Sequence, residues 1–216
     1  MDRVCARRKR TRMAKTFVQI GAGAGDRDPR ANFRDGFSEF VKGLPQTDVA
    51  NVVLVEPNPV NITKLQECWV DYPQAAIFQM GVVPDNLSDT SLTFYWAPED
   101  GPHFQVFSCS LEHVKKHYPQ SDLKSLSVKV MTLSEFLKTT LGNRPVEYLA
   151  LDIEGLDAEI ILNTDWTQLN VKNISFEILH LHDRKPAVLQ HLVDCGYREA
   201  GLGFDTHGWD LLYSRV

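Results

Sequence analysis

Nine residues carry the chemistry this sequence offers. They are Gly21, Gly23 and Gly25, then Glu56, Asp152 and Glu154, then Glu177, His180 and His182. Each group directly follows a short apolar run of the kind that forms a buried strand. In an open α/β sheet, ligands bind outside the carboxyl ends of the strands, so these residues converge on one crevice. Glycines admit a ligand close to the backbone. A carboxylate can accept two hydroxyl hydrogen bonds, as a ribose diol requires. Imidazole exchanges protons near neutral pH.

The glycine run belongs to Thr16-Phe17-Val18-Gln19-Ile20-Gly21-Ala22-Gly23-Ala24-Gly25-Asp26. This reads as strand, glycine loop, then helix, the opening of a nucleotide-type α/β domain. A dinucleotide site wants G-x-G-x-x-G, but Asp26 occupies the third position and the glycine comes one residue early. A Walker loop would need Gly-Lys-Ser/Thr, which is absent. The G-x-G-x-G spacing suits S-adenosylmethionine (SAM) better. A dinucleotide and a purely structural turn are the other readings.

The elements that must position these residues are legible in turn. Asn32 to Lys42 is amphipathic, with Phe33, Phe37, Phe40 and Val41 on one stripe. Asn51-Val52-Val53-Leu54-Val55 is a strand apolar on both faces, as in a parallel sheet. It ends in Glu56, the expected ribose ligand. Asn58 then caps a helix over Val60 to Tyr72, with Pro59 at its first position. Ala75 to Val83 is a third strand, with Gly81 and Val82 near its end, either beside the adenine or in the core. Residues 84–131 break the strand–helix alternation and are expected to form an inserted lid or hairpin. Tyr95, Trp96, Phe104 and Phe107 in it either pack a core or stack on a ring substrate. Thr132 and Glu135 form a capping box. Pro145 to Leu151 and Val171 to Leu179 are the fourth and fifth strands. If the fifth continues, His180 and His182 lie on one face. Tyr197 to Ala200 and Asp210 to Ser214 form a terminal antiparallel hairpin.

Composition narrows the class. The chain has 216 residues, 43% hydrophobic and 24% charged, as expected of one globular domain. No apolar run approaches the ~20 residues of a membrane span. The four cysteines form no C-x-x-C pair, which fits free thiols in a reducing, cytoplasmic setting. Residues 1–14 hold six basic side chains and one acid, and read as a disordered leader. The remainder carries 17 basic and 27 acidic residues, a net of −10, which disfavours nucleic acid as a partner. Neither a membrane partner nor an oligomeric state is indicated.

Taken in order, FVQIGAGAGD, VVLVEPNP, FSCSL, MTLSEFL, LALDIEGLDAEIIL and ISFEILHLH resemble the FkbM family of SAM-dependent methyltransferases over about residues 15–182. EPNP and DIEG are the most telling pieces. The resemblance implies a Rossmann-like class I methyltransferase fold with a mostly parallel sheet and helices on both faces. It also implies methyl transfer to a hydroxyl of a sugar, polyketide or other small-molecule acceptor. Many SAM methyltransferases carry an acid where this chain has Gln19, so the cofactor's amino group falls to the Gln19 carbonyl or to another residue. A hydroxyl must lose its proton to attack a methyl group. Asp152, Glu154 and His180 are the candidates for that work, with Asp152 also beside the cofactor. Glu177 and His182 are candidates for binding the acceptor. Gln19, Gly21, Gly23, Gly25, Glu56, Asn58, Gly81 and Val82 complete the expected cofactor site. A divalent ion on His180, His182 and Asp152 is conceivable, but no metal is expected. His113 and His117 read as surface or packing residues. The rival readings are a nicotinamide oxidoreductase, a non-catalytic SAM-fold module and a nucleic-acid methyltransferase.

Overall fold

A computed structural model describes residues 14–26, 35–101, 106–153, 155–204 and 208–216. The basic leader, Phe33, Phe104 and Glu154 therefore lie outside the described residues, apart from Ala14 at the leader's end. Among the described residues the chain runs β1 (Lys15–Ile20), α1 (Gly36–Lys42), β2 (Val49–Val55), α2 (Pro59–Cys68), β3 (Ala75–Phe78), β4 (Gly81–Val83), β5 (Ser91–Trp96), α3 (Leu111–His117), β6 (Lys124–Thr132), α4 (Leu133–Leu141), β7 (Val146–Leu151), α5 (Asp157–Asn163), β8 (Val171–Glu177), α6 (Lys185–Asp194), β9 (Tyr197–Leu202) and β10 (Asp210–Arg215). No helix among them is long and apolar enough to cross a membrane.

The main sheet has seven strands in the order β3-β2-β1-β7-β8-β10-β9. β1 lies parallel between β2 and β7, and β8 continues the parallel set. The chain moves outward from β1 through β2 to β3, then returns to β7 on the other side of β1. That reversal is the topological switch point where an open α/β sheet holds its ligand. β10 runs antiparallel to both β8 and β9, which realises the expected terminal hairpin.

Side chains alternate across each strand and so divide between two cores. Phe17, Val52 and Leu54 pack with Phe37 and Val41 of α1 and Leu65 of α2. Val18, Ile20, Val53 and Val55 pack with α4, α5 and α6 through Leu133, Ile160 and Leu192. The sheet is therefore covered on both faces, which explains its unbroken apolar strands. Two helix starts form as their residues dictate. The Asn58 side chain accepts from Val60 N at 3.1 Å, with Pro59 opening α2. The Thr132 hydroxyl accepts from Glu135 N at 3.3 Å at the start of α4.

Two strand expectations need correction. Ala75 to Val83 is not one strand: β3 ends at Phe78, and β4 joins a second sheet of order β4-β6-β5. Gly81 makes this possible, because a Cβ there would sit 2.9 Å from the Phe94 ring. β8 stops at Glu177, after which Ile178 N turns to the Trp209 carbonyl at 2.8 Å. The inserted residues hold more than a hairpin. β5 and β6 pair antiparallel and carry α3 between them, over a small core of Val83, Phe94, Phe107, Val128 and Val130. Phe94 and Phe107 stack at 5.2 Å, with Trp96 at 5.7 Å from Phe107, so these aromatics fill that core.

Candidate active site

β1 and β7 end side by side, with Ile20 opposite Leu151 and Asp152 N donating to the Ile20 carbonyl at 3.0 Å. The glycine loop begins in this narrow place. Gly21 has φ +82°, and a Cβ there would overlap the Asp152 carbonyl oxygen. Only glycine combines that conformation with that approach. The amides of Gly21 and Ala22 both donate to the Val55 carbonyl, at 2.9 and 3.0 Å, tying the loop to β2. Gly23 differs: a Cβ there would meet nothing within 4 Å among the described residues. The loop is pinned at Gly21 and open at Gly23.

Glu56 sits directly after β2 and is 4% exposed. One carboxylate oxygen accepts from Gly23 N at 2.7 Å. The other accepts from Asn58 N at 2.8 Å and from Asn61 Nδ2 at 3.4 Å. Glu56 thereby joins the glycine loop at Gly23 to the start of α2. Asn58 is buried and serves as the α2 cap.

Gln19 is 7% exposed and donates through Nε2 to Asp35 at 3.0 Å. Its Oε1 is buried with no hydrogen-bond partner among the described residues. Asp35 caps α1, accepting from Ser38 N at 3.1 Å and from the Ser38 hydroxyl. Burial pushes the Asp35 carboxyl above the usual range, against the pull of its Ser38 and Gln19 hydrogen bonds. An acid thus stands beside the glycine loop even though the strand position holds glutamine. Sequence reasoning missed Asp35 because it follows Gln19 by 16 residues.

A second brace was also missed. Asp26 accepts from the Cys68 thiol at 2.6 Å and from Lys42 Nζ at 2.9 Å, and Lys42 lies 3.0 Å from Cys68 Sγ. Lys42 also stands 5.0 Å over the Trp69 ring. Burial alone would raise the Asp26 pKa, but the hydrogen bonds from Cys68 and Lys42 outweigh it and hold the group below its ordinary value. Desolvation and the bond to Asp26 push the Cys68 thiol up, so it is a structural thiol rather than a nucleophile. Asp26 marks where the loop departs from the dinucleotide pattern, and this network gives that departure a purpose.

Gly81 and Val82 do not end the third strand, and of the two expected places the core is where Val82 lies. Both belong to β4, paired with β6, and Val82 is 1% exposed within the core. The exposed Gln79 is the residue that directly follows β3.

The other half of the crevice is more open. Asp152 is exposed at the end of β7. Asp157 braces the turn that follows, accepting from Ile153 N at 3.3 Å while itself 1% exposed. Glu177 ends β8, and His180 Nε2 lies 3.7 Å from its carboxylate. His180 and His182 do not share a strand face, because the chain turns after Glu177 and His182 takes φ +47°. His182 is exposed, with its Nε2 3.4 Å from Lys116 Nζ. His180 faces His113 and His117 of α3, at ring separations of 4.8 and 5.8 Å. One ring nitrogen from each of the three lies within 4.8 Å of the others. The one sequence signal for this cluster was the four-residue spacing of His113 and His117, which puts both on one helix face.

Residues 19–199 match the Methyltransferase FkbM domain family. A solved FkbM methyltransferase from Methylobacillus flagellatus KT is similar at 14% identity and TM-score 0.52, over 93% of this chain. The chain spans 43% of the length of that relative. A precorrin-6y C5,15-methyltransferase from Geobacter metallireducens GS-15 aligns at 14% identity and TM-score 0.44, over 94% of this chain and 80% of its own. Aeropyrum pernix fibrillarin, solved with natively bound S-adenosyl-L-methionine, aligns at 12% identity and TM-score 0.44, over 94% and 66%. None of the curated proteins compared matches the chain.

Proposed function

The chain belongs to the FkbM methyltransferase domain family, and from that premise we propose that it methylates a hydroxyl of a sugar, natural product or other small molecule, with S-adenosyl-L-methionine as donor. The observation that carries the reading is the Gly23–Glu56 pairing at the switch point. There, an open glycine and a buried carboxylate meet beside the end of β7.

The residues present fit the cofactor. Glu56, at the carboxyl end of β2, would take the ribose hydroxyls. The buried Gln19 Oε1 suits the ammonium of the methionine moiety, with the Asp35 carboxylate behind it. Gly21 and Gly25 hold the loop, and Asp26 fastens its far end to α1 and α2. When bound, SAM supplies an electrophilic methyl group on a sulfonium. The chain's own part is to orient the acceptor oxygen and accept its proton. Asp152 at the end of β7 and, when it carries no metal ion, His180 with Glu177 3.7 Å from its Nε2 are the residues arranged to take that proton. Asp152, exposed between the two halves, would orient the acceptor, and Glu154 stays a candidate for the same work. Residues 84–131 would wall the acceptor side of one catalytic domain over 15–216. The net charge of −5 favours a small or neutral acceptor over a polyanion.

The test is transfer of tritiated methyl from SAM onto a panel of hydroxylated metabolites, glycans and RNA. Label on a hydroxyl of a small molecule or glycan is the expected result. Label confined to RNA would replace this acceptor class with a nucleic acid.

A further inference from the structure

We propose that His113, His117 and His180 bind a divalent transition-metal ion of the zinc class, clasping the inserted helix α3 to the end of β8. Three imidazoles are a ligand set for such an ion, and three protein ligands leave a fourth position open to water or an acceptor oxygen. His113 and His117 lie four residues apart and so project from one face of α3. That helix is anchored by Val114, which is fully buried, and by the Ser110 cap accepting from His113 N at 3.2 Å. His180 comes from a different part of the fold, so the ion would join the two sheets. A tetrahedral ion with bonds of ~2.1 Å sets its ligand nitrogens about 3.4 Å apart. The three present nitrogens lie within 4.8 Å, a gap that modest ring rotations close.

Two neighbours support the assignment. Gly155, with φ +96°, leaves room for the His113 ring, since a Cβ there would sit 3.0 Å from Nδ1. The loop after β7 is thus shaped around a cluster histidine. Glu177 stands 3.7 Å from His180 Nε2, a carboxylate where ligating histidines are usually oriented by one. His117 is exposed while His113 and His180 are half-buried, so the cluster is reached from solvent.

The experiment is titration of the untagged, full chain with Co²⁺, read by its visible d–d absorption, followed by displacement with Zn²⁺. One Co²⁺ per chain with tetrahedral bands is expected. His113→Ala, His117→Ala and His180→Ala should each weaken binding by more than about a hundredfold, beyond the ~10–100-fold typical of orienting residues, and Glu177→Gln by about tenfold. His191→Ala, outside the cluster, should bind Co²⁺ like the parent. Unchanged circular dichroism and thermal unfolding verify that each variant folds. Absence of Co²⁺ binding, or binding that survives all three alanine variants, overturns the proposal. The readout does not depend on methyl transfer, so it stands apart from the proposed activity.

Discussion

The two halves of the crevice are built by opposite means. On the β1–β2 side, the polar groups are buried or half-buried and tied to one another by hydrogen bonds. Glu56 bonds Gly23 and Asn58, Gln19 bonds Asp35, and Asp26 bonds Cys68 and Lys42. On the β7–β8 side, Asp152 and His182 are exposed, His180 is half-buried, and the rings come from separate elements. The first half is braced within the fold, while the second can change its lining without disturbing the sheet. Under the proposed function, the cofactor takes the first and the acceptor the second.

The sharpest way to break this comparison is Gly21→Ala. The new Cβ overlaps the Asp152 carbonyl in a left-handed conformation, so the two halves must separate. A loss of about 3 kcal/mol or more in chemical denaturation is expected. Next comes His180→Ala. Turnover should fall by about a hundredfold, with SAM affinity unchanged by calorimetry. A parallel loss of SAM affinity would show that the halves are not separable.

Asp35 sharpens the comparison through pH. Its folded pKa is raised by burial, so its contribution to stability is full below the unfolded value near ~3.9 and is lost as pH rises through the folded value. Asp35→Asn should remove that decline, read as the difference between the two unfolding free energies across acidic to neutral pH. A difference that does not change with pH would contradict the buried, raised carboxyl. The smallest effect is expected from Lys42→Met, about 1 kcal/mol of stability with little change in turnover, because the ion pair with Asp26 is partly solvated.

The same contrast explains what the sequence revealed. β1, the glycine loop and Glu56 form one local pattern of apolar run, glycine and acid, so the strand, the turn and the place of Glu56 at the end of β2 could be read directly. The capping residues Asn58 and Thr132 were equally local. Asp35, Cys68 and Lys42 were hidden because their partners are 16 to 42 residues away and no periodicity marks them. The acceptor side depends on where β8 stops and on how α3 folds back, both set by tertiary packing. A fifth strand continued past Leu179 would have put His180 and His182 on one face; the chain turns after Glu177 instead, and His113 and His117 approach His180 at 4.8 and 5.8 Å, with His182 at 6.3 Å. Gly81 misled for a similar reason: its role is to let β4 press against Phe94, not to end a strand beside a ligand.

The central claim is that Glu56 and the glycine loop form a SAM cradle, and calorimetric titration of SAM into the full chain and into Glu56→Ala tests it most directly. One SAM per chain should bind the parent. The variant should bind about a hundredfold more weakly, as expected for losing roughly 3 kcal/mol of charge-assisted hydrogen bonds. Equal affinity in a folded variant, or no SAM binding by the parent, would contradict it.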